Sequence, residues 1–189
     1  PEERVLLCLL DTADFPALFL GAIRAGVVPV PINTMLTTAD YGYMLADSGA
    51  RTLFVSDALW AKVGPAVGAM ERRPQVVVVR SPSGGDPGGH PLLDELLADP
   101  TDAVADTTAD HVAFWLYSSG STGRPKGAVH LHSHLIQTAG LYGAGVLGIQ
   151  ADDVVFSAAK LFFAYGLGNA MTFPLSVGAT AVLMAERPT

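Results

Sequence analysis

The sequence predicts an α/β fold built on a layered, mainly parallel β-sheet flanked by helices. Short runs of Val, Leu and Ile alternate along the chain with segments of helical length, and this order is typical of parallel strands joined by helical crossovers. Half of the 189 residues are hydrophobic, and the mean hydropathy is +0.37. Such an apolar composition indicates strands that are buried on both faces, as in a sheet covered by helices.

Residues 1–80 are predicted to form the first part of this fold. The predicted strands cover residues 5–10, 27–32, 53–55 and 76–79, and a weak helix covers residues 59–70. Pro29 and Pro31 place the second strand at a sheet edge or at a strand end, because proline donates no ladder hydrogen bond.

Capping residues predict the boundaries of two further helices in this part. Asp14 is expected to cap a helix that Gly26 follows, since a short polar side chain at the start and a glycine past the end are the usual signals. Thr37 and Asp40 resemble a capping box, and Gly49 is expected to close the helix that they open.

A Pro/Gly/Ser-rich segment at residues 81–91 is the clearest boundary in the chain. We expect it to link a first α/β portion, residues 1–80, to a second portion, residues 92–189. The second portion is predicted to contain strands at residues 112–116, 128–131, 154–157 and 179–184, with helices at 92–98, 133–147 and 167–175.

Composition and charge exclude several classes of partner. The formal net charge is −7 and the isoelectric point is about 5.0, which argues against nucleic acid. No apolar stretch approaches the roughly 18–20 residues of a membrane span, and the chain opens on Pro-Glu-Glu-Arg without a visible signal peptide. The single cysteine, Cys8, lies in an apolar run and is expected to be a buried core thiol. A reducing cytoplasm is therefore the expected compartment.

The most informative motif is Tyr-Ser-Ser-Gly-Ser-Thr-Gly-Arg-Pro-Lys-Gly at residues 117–127, directly after a predicted strand. Its glycines let a ligand approach the backbone, its hydroxyls add donors and its lysine adds a point charge. The motif therefore predicts a phosphate-binding loop, in preference to an ordinary Gly/Ser surface turn. It is not a Walker A loop, because Pro125 stands where the second glycine would be and Gly127 follows the lysine.

The distribution of charge supports an anion at this loop. Residues 111–151 contain no Asp or Glu but hold Arg124, Lys126 and four histidines, an arrangement that attracts anions. A buried segment would also lack charges, and the two explanations are compatible. A Gly-x-Gly-x-x-Gly pattern at residues 143–148 lies at the tail of a predicted helix with no strand before it, so helix packing or termination explains it better than dinucleotide binding.

The loop at residues 117–127 resembles the phosphate-loop signature of adenylate-forming enzymes, a superfamily of acyl- and aryl-CoA ligases, luciferases and peptide-synthetase adenylation domains. Residues 26–33, Gly-Val-Val-Pro-Val-Pro-Ile-Asn, resemble an early motif of the same superfamily, and His132 falls where many members carry histidine. The resemblance covers essentially the whole chain. It implies that the chain is a part of the large N-terminal domain of such an enzyme, and that the downstream catalytic segments are missing from it.

Residues 160–169, Lys-Leu-Phe-Phe-Ala-Tyr-Gly-Leu-Gly-Asn, occupy the place of the superfamily's aromatic substrate-pocket motif. They are similar to benzoate–CoA ligases and to 4-hydroxybenzoate or aminobenzoate ligases. Aromatic rings beside small residues form a flat apolar slot that suits a planar aryl acid. Phe162 is expected either in this slot or in the core, and Lys160 is expected to be solvated or ion-paired outside the site. The expected acid-binding residues are Phe163, Ala164, Tyr165 and Gly166.

The resemblance implies two half-reactions with ATP and coenzyme A. The acid first attacks the α-phosphate of ATP to give acyl-AMP and pyrophosphate, and the thiol of coenzyme A then displaces AMP. Lys126 is the implied catalytic residue, because it would neutralise the leaving pyrophosphate. The expected ATP-binding set is Ser118, Ser119, Gly120, Ser121, Thr122, Gly123 and Lys126.

Mg²⁺ is expected to accompany ATP, but the sequence assigns no ligand to it. His130, His132 and His134 alternate, and alternating residues share a face only on a strand. The chain is expected to turn into a helix after Leu131, and no Cys or carboxylate stands nearby, so a metal site at these histidines is not predicted.

Three alternative functions stay open at this point. The chain can belong to an adenylation domain that loads a carrier protein, to a ligase for aliphatic acids, or to a non-catalytic nucleotide-binding module. The pocket motif argues against the first two, and the intact loop argues against the third. On its own, the 189-residue chain is expected to be inactive, with the remainder of the same enzyme as its partner.

Overall fold

The computed structural model describes residues 2–97, 102–118 and 123–186. The strands are β1 (Arg4–Cys8), β2 (Val28–Pro31), β3 (Thr52–Ser56), β4 (Gln75–Val79), β5 (Val112–Ser118), β6 (Lys126–Leu131), β7 (Val154–Phe156) and β8 (Thr180–Val182). The α-helices are α1 (Asp14–Arg24), α2 (Thr38–Ser48), α3 (Asp57–Gly68), α4 (Leu93–Leu96), α5 (His132–Thr138), α6 (Ala164–Leu167) and α7 (Phe173–Val177). π-Helical segments, Ala139–Ala144 and Gly168–Thr172, follow α5 and α6. This alternation confirms the predicted α/β fold.

A four-stranded parallel sheet in the order β2-β1-β3-β4 forms the centre of the first half. The register of β1 puts Leu6 opposite both Val30 of β2 and Leu53 of β3. β2 lies at the edge of this sheet, as its two prolines predict, because an edge strand can leave backbone positions unpaired.

Helices cover both faces of the parallel sheet. Val5 and Leu7 of β1 pack with Phe15 and Phe19 of α1 in one apolar cluster. The intervening residues of β1 pack in a second cluster with side chains of α2 and α3. The members of that second cluster include Leu6, Cys8, Tyr41, Met44, Leu45 and Val63. β1 is apolar at successive positions because side chains alternate between two buried layers.

The boundaries of α2 lie where its capping residues predict them, whereas the start of α1 needs a correction. Thr37 and Asp40 form the predicted capping box, in which the Thr37 N–H donates to Asp40 Oδ2 at 3.0 Å, and Gly49 ends α2 with a φ of 59°. Asp14, by contrast, is the first helical residue and not the cap. Ala13 holds the N-cap position, because the preceding turn has already brought its backbone into the helical region and its carbonyl accepts a helical bond.

β5 and β6 depart from parallel pairing and form an antiparallel hairpin. The register pairs Trp115 with Val129 and Ser118 with Lys126, whereas β7 and β8 pair in parallel. A short connection such as the one between β5 and β6 can join only antiparallel neighbours. The hairpin therefore brings the two ends of the glycine-rich loop to one place.

The helix expected over residues 133–147 begins at His132 and ends in the π-helical segment Ala139–Ala144. Gly143 lies in that segment against Phe173, whose Cβ would be 2.8 Å from a Cβ at the glycine. The Gly-x-Gly-x-x-Gly pattern therefore reflects close packing at a helix end, as the sequence indicated. The final predicted helix begins earlier than expected, at the first residue of α6.

The Pro/Gly/Ser-rich residues 81–91 pack against the start of α3, and we call them the docked segment. The carboxylate of Asp57 accepts hydrogen bonds from the hydroxyl of Ser81 and from its N–H, the latter at 2.9 Å. A side chain at Gly85 would overlap the backbone of Asp57, and one at Gly88 would overlap the indole of the α3 tryptophan. Glycine at these positions permits the close approach. The division of the chain into two portions at this segment stays a prediction.

Cys8 is free and fully buried in β1. Burial raises the pKa of its thiol to about 12, so the thiol stays neutral and unreactive, and the predicted core role is confirmed. In residues 2–97, 102–118 and 123–186, no helix combines the length and the apolar character needed to cross a membrane.

Candidate functional site

The β5–β6 hairpin presents the ends of the predicted phosphate loop to solvent. Ser118 and Lys126 are the last cross-strand pair before the loop, and both side chains are exposed. Gly123 has a φ of +113° with open space where a Cβ would stand, a backbone conformation that residues with side chains rarely adopt. The other predicted phosphate-binding residues, Ser119, Gly120, Ser121 and Thr122, lie outside the described residues.

Two cations at the exit of the loop are available to an anion. Arg124 and Lys126 are both exposed, and in the described parts of the chain neither lies within 4.0 Å of a carboxylate. The guanidinium of Arg124 lies over the ring of Tyr43, with 5.4 Å between its Cζ and the ring centroid. Exposed cations beside a glycine with a positive φ make this end of the hairpin attractive to an anion.

Below the loop, side chains of α2 hold both strands of the hairpin. The hydroxyl of Tyr117, on β5, donates to Asp47 Oδ2 at 2.7 Å. The hydroxyl of Tyr43 donates to the carbonyl of Pro125 at 2.9 Å, and it also lies 3.4 Å from Asp47 Oδ1. We call Tyr43, Asp47 and Tyr117 the loop clamp.

A small cavity of about 110 Å³ joins three motifs that are far apart in sequence. Asn33 comes from the early motif, Tyr117 and Pro125 come from the loop, and Phe162 and Phe163 come from the aromatic motif. The parallel sheet makes this possible, because the chain after β2 emerges at its carboxyl edge, where ligand sites of α/β folds form. The two sides of the glycine-rich loop, at Tyr117 and Pro125, are thus neighbours of the aromatic motif in space.

The aromatic motif divides between core and surface. Phe162 is buried at 6% exposure, whereas Phe163 is 45% exposed and Tyr165 is 67% exposed. The rings of Phe162 and Phe163 lie 4.4 Å apart between centroids. Phe162 is therefore a core residue that also lines the small cavity. Ala164 opens α6, and Gly166 is buried where its Cα faces the carbonyls of residues 159 and 160.

A second cavity of about 280 Å³ is also lined in part by Phe163. Asp11, Met35 and Lys160 contribute to its lining. Phe163, whose ring is 45% exposed, therefore borders both cavities.

Lys160 is ion-paired, one of the two states that the sequence predicted for it. Its Nζ lies 3.9 Å from Asp11 Oδ2 and donates to the carbonyls of Met184 and Glu186 at 2.5 Å each. The N–H of Leu161 also donates to the Asp11 carboxylate, at 3.2 Å. Burial raises the pKa of Asp11 to about 6, although the charge of Lys160 and the Leu161 hydrogen bond act in the opposite direction. This pair ties the start of the aromatic motif to the ends of β1 and β8.

The raised pKa of Asp11 predicts a pH dependence of stability. Folding raises this pKa from 3.8 to about 6. The contribution of protonated Asp11 to the free energy of unfolding is therefore fully present below pH 3.8 and is lost as the pH rises through 6. We expect the free energy of unfolding of the wild-type chain, relative to Asp11→Asn, to fall by roughly 1–3 kcal/mol between about pH 4 and pH 7. Urea denaturation of both purified chains measures this difference. Asp152→Asn, at an exposed turn, is the control; a difference for Asp11→Asn as flat as the control's would contradict the prediction.

The three alternating histidines occupy two different elements. β6 ends at Leu131 and α5 begins at His132, so the alternation does not put the rings on one face. The ring of His130 stacks on the ring of Phe114, with 4.5 Å between the centroids. The rings of His130 and His134 lie edge-to-face, with 5.6 Å between their centroids. Across the described residues, no three His, Cys, Asp or Glu side chains are placed to hold a metal ion.

The sequence did not identify Asp11, Tyr43 and Asp47 as residues of the candidate site. Tyr43 and Asp47 are four residues apart on α2, a spacing that puts them on one helix face, but their partner Tyr117 is 70 residues from Asp47. No local pattern connects such distant residues. Asp11 did carry a signal, because it follows the carboxyl end of a parallel strand, where sites collect in α/β sheets.

The whole chain, residues 1–189, matches a family model described as AMP-binding enzyme. The benzoate–CoA ligase of Thauera aromatica is 57% identical over 191 residues, which cover 100% of this chain and 35% of that protein. A 4-hydroxybenzoate–CoA/benzoate–CoA ligase of Rhodopseudomonas palustris is 48% identical and is covered to 34%. The chain thus spans about 35% of the length of the first of these curated relatives.

Solved structures of similar proteins share the fold. A benzoate CoA ligase from Burkholderia xenovorans superposes with a TM-score of 0.87 at 54% identity, over 100% of this chain and 36% of that chain. An anthranilate CoA ligase in complex with anthranoyl-AMP superposes with a TM-score of 0.91 at 34% identity, over 98% of this chain and 36% of its own.

Proposed function

Because the chain belongs to the AMP-binding enzyme family, we propose that it forms the phosphate-loop and acid-pocket portion of an ATP-dependent aryl-acid–CoA ligase of the benzoate type. The observation that carries the proposal is the small cavity in which Asn33, the loop and the aromatic motif meet. A carboxylate held beside Phe163 would lie next to the phosphates held by the loop. The similarity to benzoate–CoA ligases supports an aryl acid as the substrate.

In the first half-reaction, a carboxylate oxygen of the acid attacks the α-phosphorus of ATP. The new oxygen–phosphorus bond forms as the bond to the bridging oxygen breaks, so that acyl-AMP and pyrophosphate result. The protein supplies position and charge rather than a covalent group. Lys126 would stabilise the charge that develops on the leaving pyrophosphate. The proposed phosphate-binding residues are Ser118, Ser119, Gly120, Ser121, Thr122, Gly123 and Lys126.

Mg²⁺, when bound with ATP, supplies further charge neutralisation on the phosphates. The exposed Arg124 and Lys126 fit the anionic side of such a complex, and the described residues supply no clustered carboxylates for the metal.

In the second half-reaction, the thiolate sulfur of coenzyme A attacks the acyl carbon and AMP leaves with the electron pair. Phe163, Ala164, Tyr165 and Gly166 would hold the aryl ring during both steps, because exposed rings beside small residues accept a flat substituent.

We place the reaction in the cytoplasm, where a free buried thiol such as Cys8 persists without pairing.

A substrate survey of the full-length protein that carries this chain tests the proposed function. Acid-dependent exchange of labelled pyrophosphate into ATP would be measured for benzoate, ring-substituted benzoates and straight-chain fatty acids, followed by thioester formation with coenzyme A. We expect kcat/KM for benzoate to exceed that for octanoate by roughly 100-fold, because a flat slot excludes a flexible chain. A preference for long chains would remove the aryl assignment. Binding of ATP without exchange for any acid would favour a non-catalytic module.

A further inference from the structure

We propose that Asp47 is a positioning residue for the phosphate loop, which it fixes through Tyr117 on one strand of the hairpin, while Tyr43 of the same helix holds Pro125 on the other strand. The proposal rests on the proposed function, since it gives the loop clamp a part in holding ATP. It concerns residues on either side of the loop, all within the described parts of the chain.

The loop clamp contacts the hairpin at the end that carries the loop. Tyr117 directly precedes Ser118, the last ladder residue of β5, and Pro125 directly precedes Lys126, the first residue of β6. The bond from Tyr117 to Asp47 is 2.7 Å and the bond from Tyr43 to Pro125 is 2.9 Å. Both strands are therefore tied to α2 within one residue of the Ser118–Lys126 pair.

The hydrogen bond between Tyr117 and Asp47 is of a strong kind. A hydrogen bond to an ionised carboxylate is about twice as strong as one between neutral groups. Burial of Tyr117, together with the hydrogen bond and the charge of Asp47, holds the pKa of this phenol well above its usual range. The phenol therefore stays protonated and remains a donor.

α2 is a rigid support for these contacts. Its start is fixed by the capping box of Thr37 and Asp40, and its inner face is buried through Tyr41, Met44 and Leu45. A displacement of the hairpin relative to this helix would move Lys126 relative to the acid pocket. Misplacement of a reacting group by about 1 Å can lower a rate by about 100-fold.

The position of Asp47 is not explained by helix stability. The residue lies in the last turn of α2 and is exposed, and a negative charge near a helix C-terminus opposes the helix dipole. Alanine is also a better helix former than aspartate. Loss of this carboxylate is thus expected to leave α2 at least as stable, which separates its positioning role from a structural one.

The test uses Asp47→Ala, Tyr117→Phe and their combination in the full-length protein. Two half-reactions are measured separately: benzoate-dependent pyrophosphate exchange, which needs the phosphates, and conversion of supplied benzoyl-AMP by coenzyme A, which does not. We expect each single variant to lower kcat for exchange roughly tenfold, by loss of a charge-assisted hydrogen bond. The rate of the benzoyl-AMP step should stay within about twofold of wild type in every variant. The exchange rate of the double variant should lie within about twofold of the rate of either single variant, because both substitutions remove the same hydrogen bond.

Tyr142→Phe and Asp152→Ala, both at exposed positions, serve as controls and should leave both half-reactions unchanged. Thermal unfolding of every variant reports on folding, and Tyr43→Phe gives an independent test from the other strand. Equal losses in both half-reactions, or unchanged exchange in all clamp variants, would overturn the proposal. If wild type shows no exchange, or if exchange does not depend on Lys126, the proposed function itself has failed; failure of the clamp alone leaves both of these intact.

Discussion

Replacing Lys126 with methionine is expected to lower the rate of acyl-AMP formation by about 10²- to 10³-fold in the full-length protein. The ammonium is exposed at the exit of the loop and has no carboxylate within 4.0 Å among the described residues, so its charge is free to act on a phosphate. Methionine keeps much of the length of the side chain but removes the charge that would balance the leaving pyrophosphate. The loss should therefore appear in kcat more than in KM for benzoate.

Pyrophosphate exchange measures this effect, and Lys62→Met is the matched control. Lys62 is an exposed lysine on α3, so its replacement should leave exchange unchanged. Lys126→Arg should recover only part of the rate, because a planar guanidinium does not reproduce a compact ammonium. An exchange rate for Lys126→Met equal to that of the control would show that this loop does not bind the phosphates.

Gly166→Ala is expected to destabilise the chain by about 3 kcal/mol, because overpacking against a fixed neighbour forces the backbone to move. A methyl group at this position would overlap the carbonyl oxygens of Lys160 and Ala159. Those carbonyls cannot retreat easily, since Lys160 is held by Asp11 and by the chain after β8. The strain should therefore displace α6, on which Ala164 and Tyr165 lie.

Urea denaturation gives the stability of the variant, and benzoate-dependent exchange in the full-length protein reports on the pocket. We expect KM for benzoate to rise about tenfold, in line with the usual effect of small shape changes in an apolar pocket. Gly21→Ala is the control, because it lies in α1 with no atom within 4 Å of the added methyl group. That control should be neutral or slightly stabilising, since alanine favours a helix. Equal stabilities for the two variants would contradict the packing argument.

The fold was predictable from the sequence because its signals are local. The alternation of residues in β1 follows from side chains that enter two buried layers, and the capping box of Thr37 and Asp40 needs only four consecutive residues. The expected cap at Asp14 was wrong because capping depends on the backbone angles of the preceding turn. Those angles accompany local backbone hydrogen bonds, such as the one from the Thr12 N–H to the Leu10 carbonyl, that the presence of an aspartate does not reveal.

The candidate site was predictable only where motifs carry it. The loop and the aromatic motif are contiguous stretches, and the structure makes them neighbours through a cavity lined by Tyr117, Phe162 and Phe163. The supports of these motifs come from distant residues. Asp47 reaches Tyr117 across 70 positions, and Asp11 reaches Leu161 across 150. Such pairs leave no spacing pattern, so only the folded chain identifies which residues are partners, even where one member, Asp11, lies at a predictable place after a strand.

The docked segment makes residues 81–91 a poor place to insert a tag, a protease site or a fused domain. Insertions are tolerated at exposed loop tips whose backbone has few contacts, whereas here added length would draw Ser81 away from Asp57. Bulkier residues at Gly85 or Gly88 would collide with α3. A library that randomises residues 81–91 as a neutral spacer is therefore expected to lose folded variants, although the composition of the segment is that of a flexible linker.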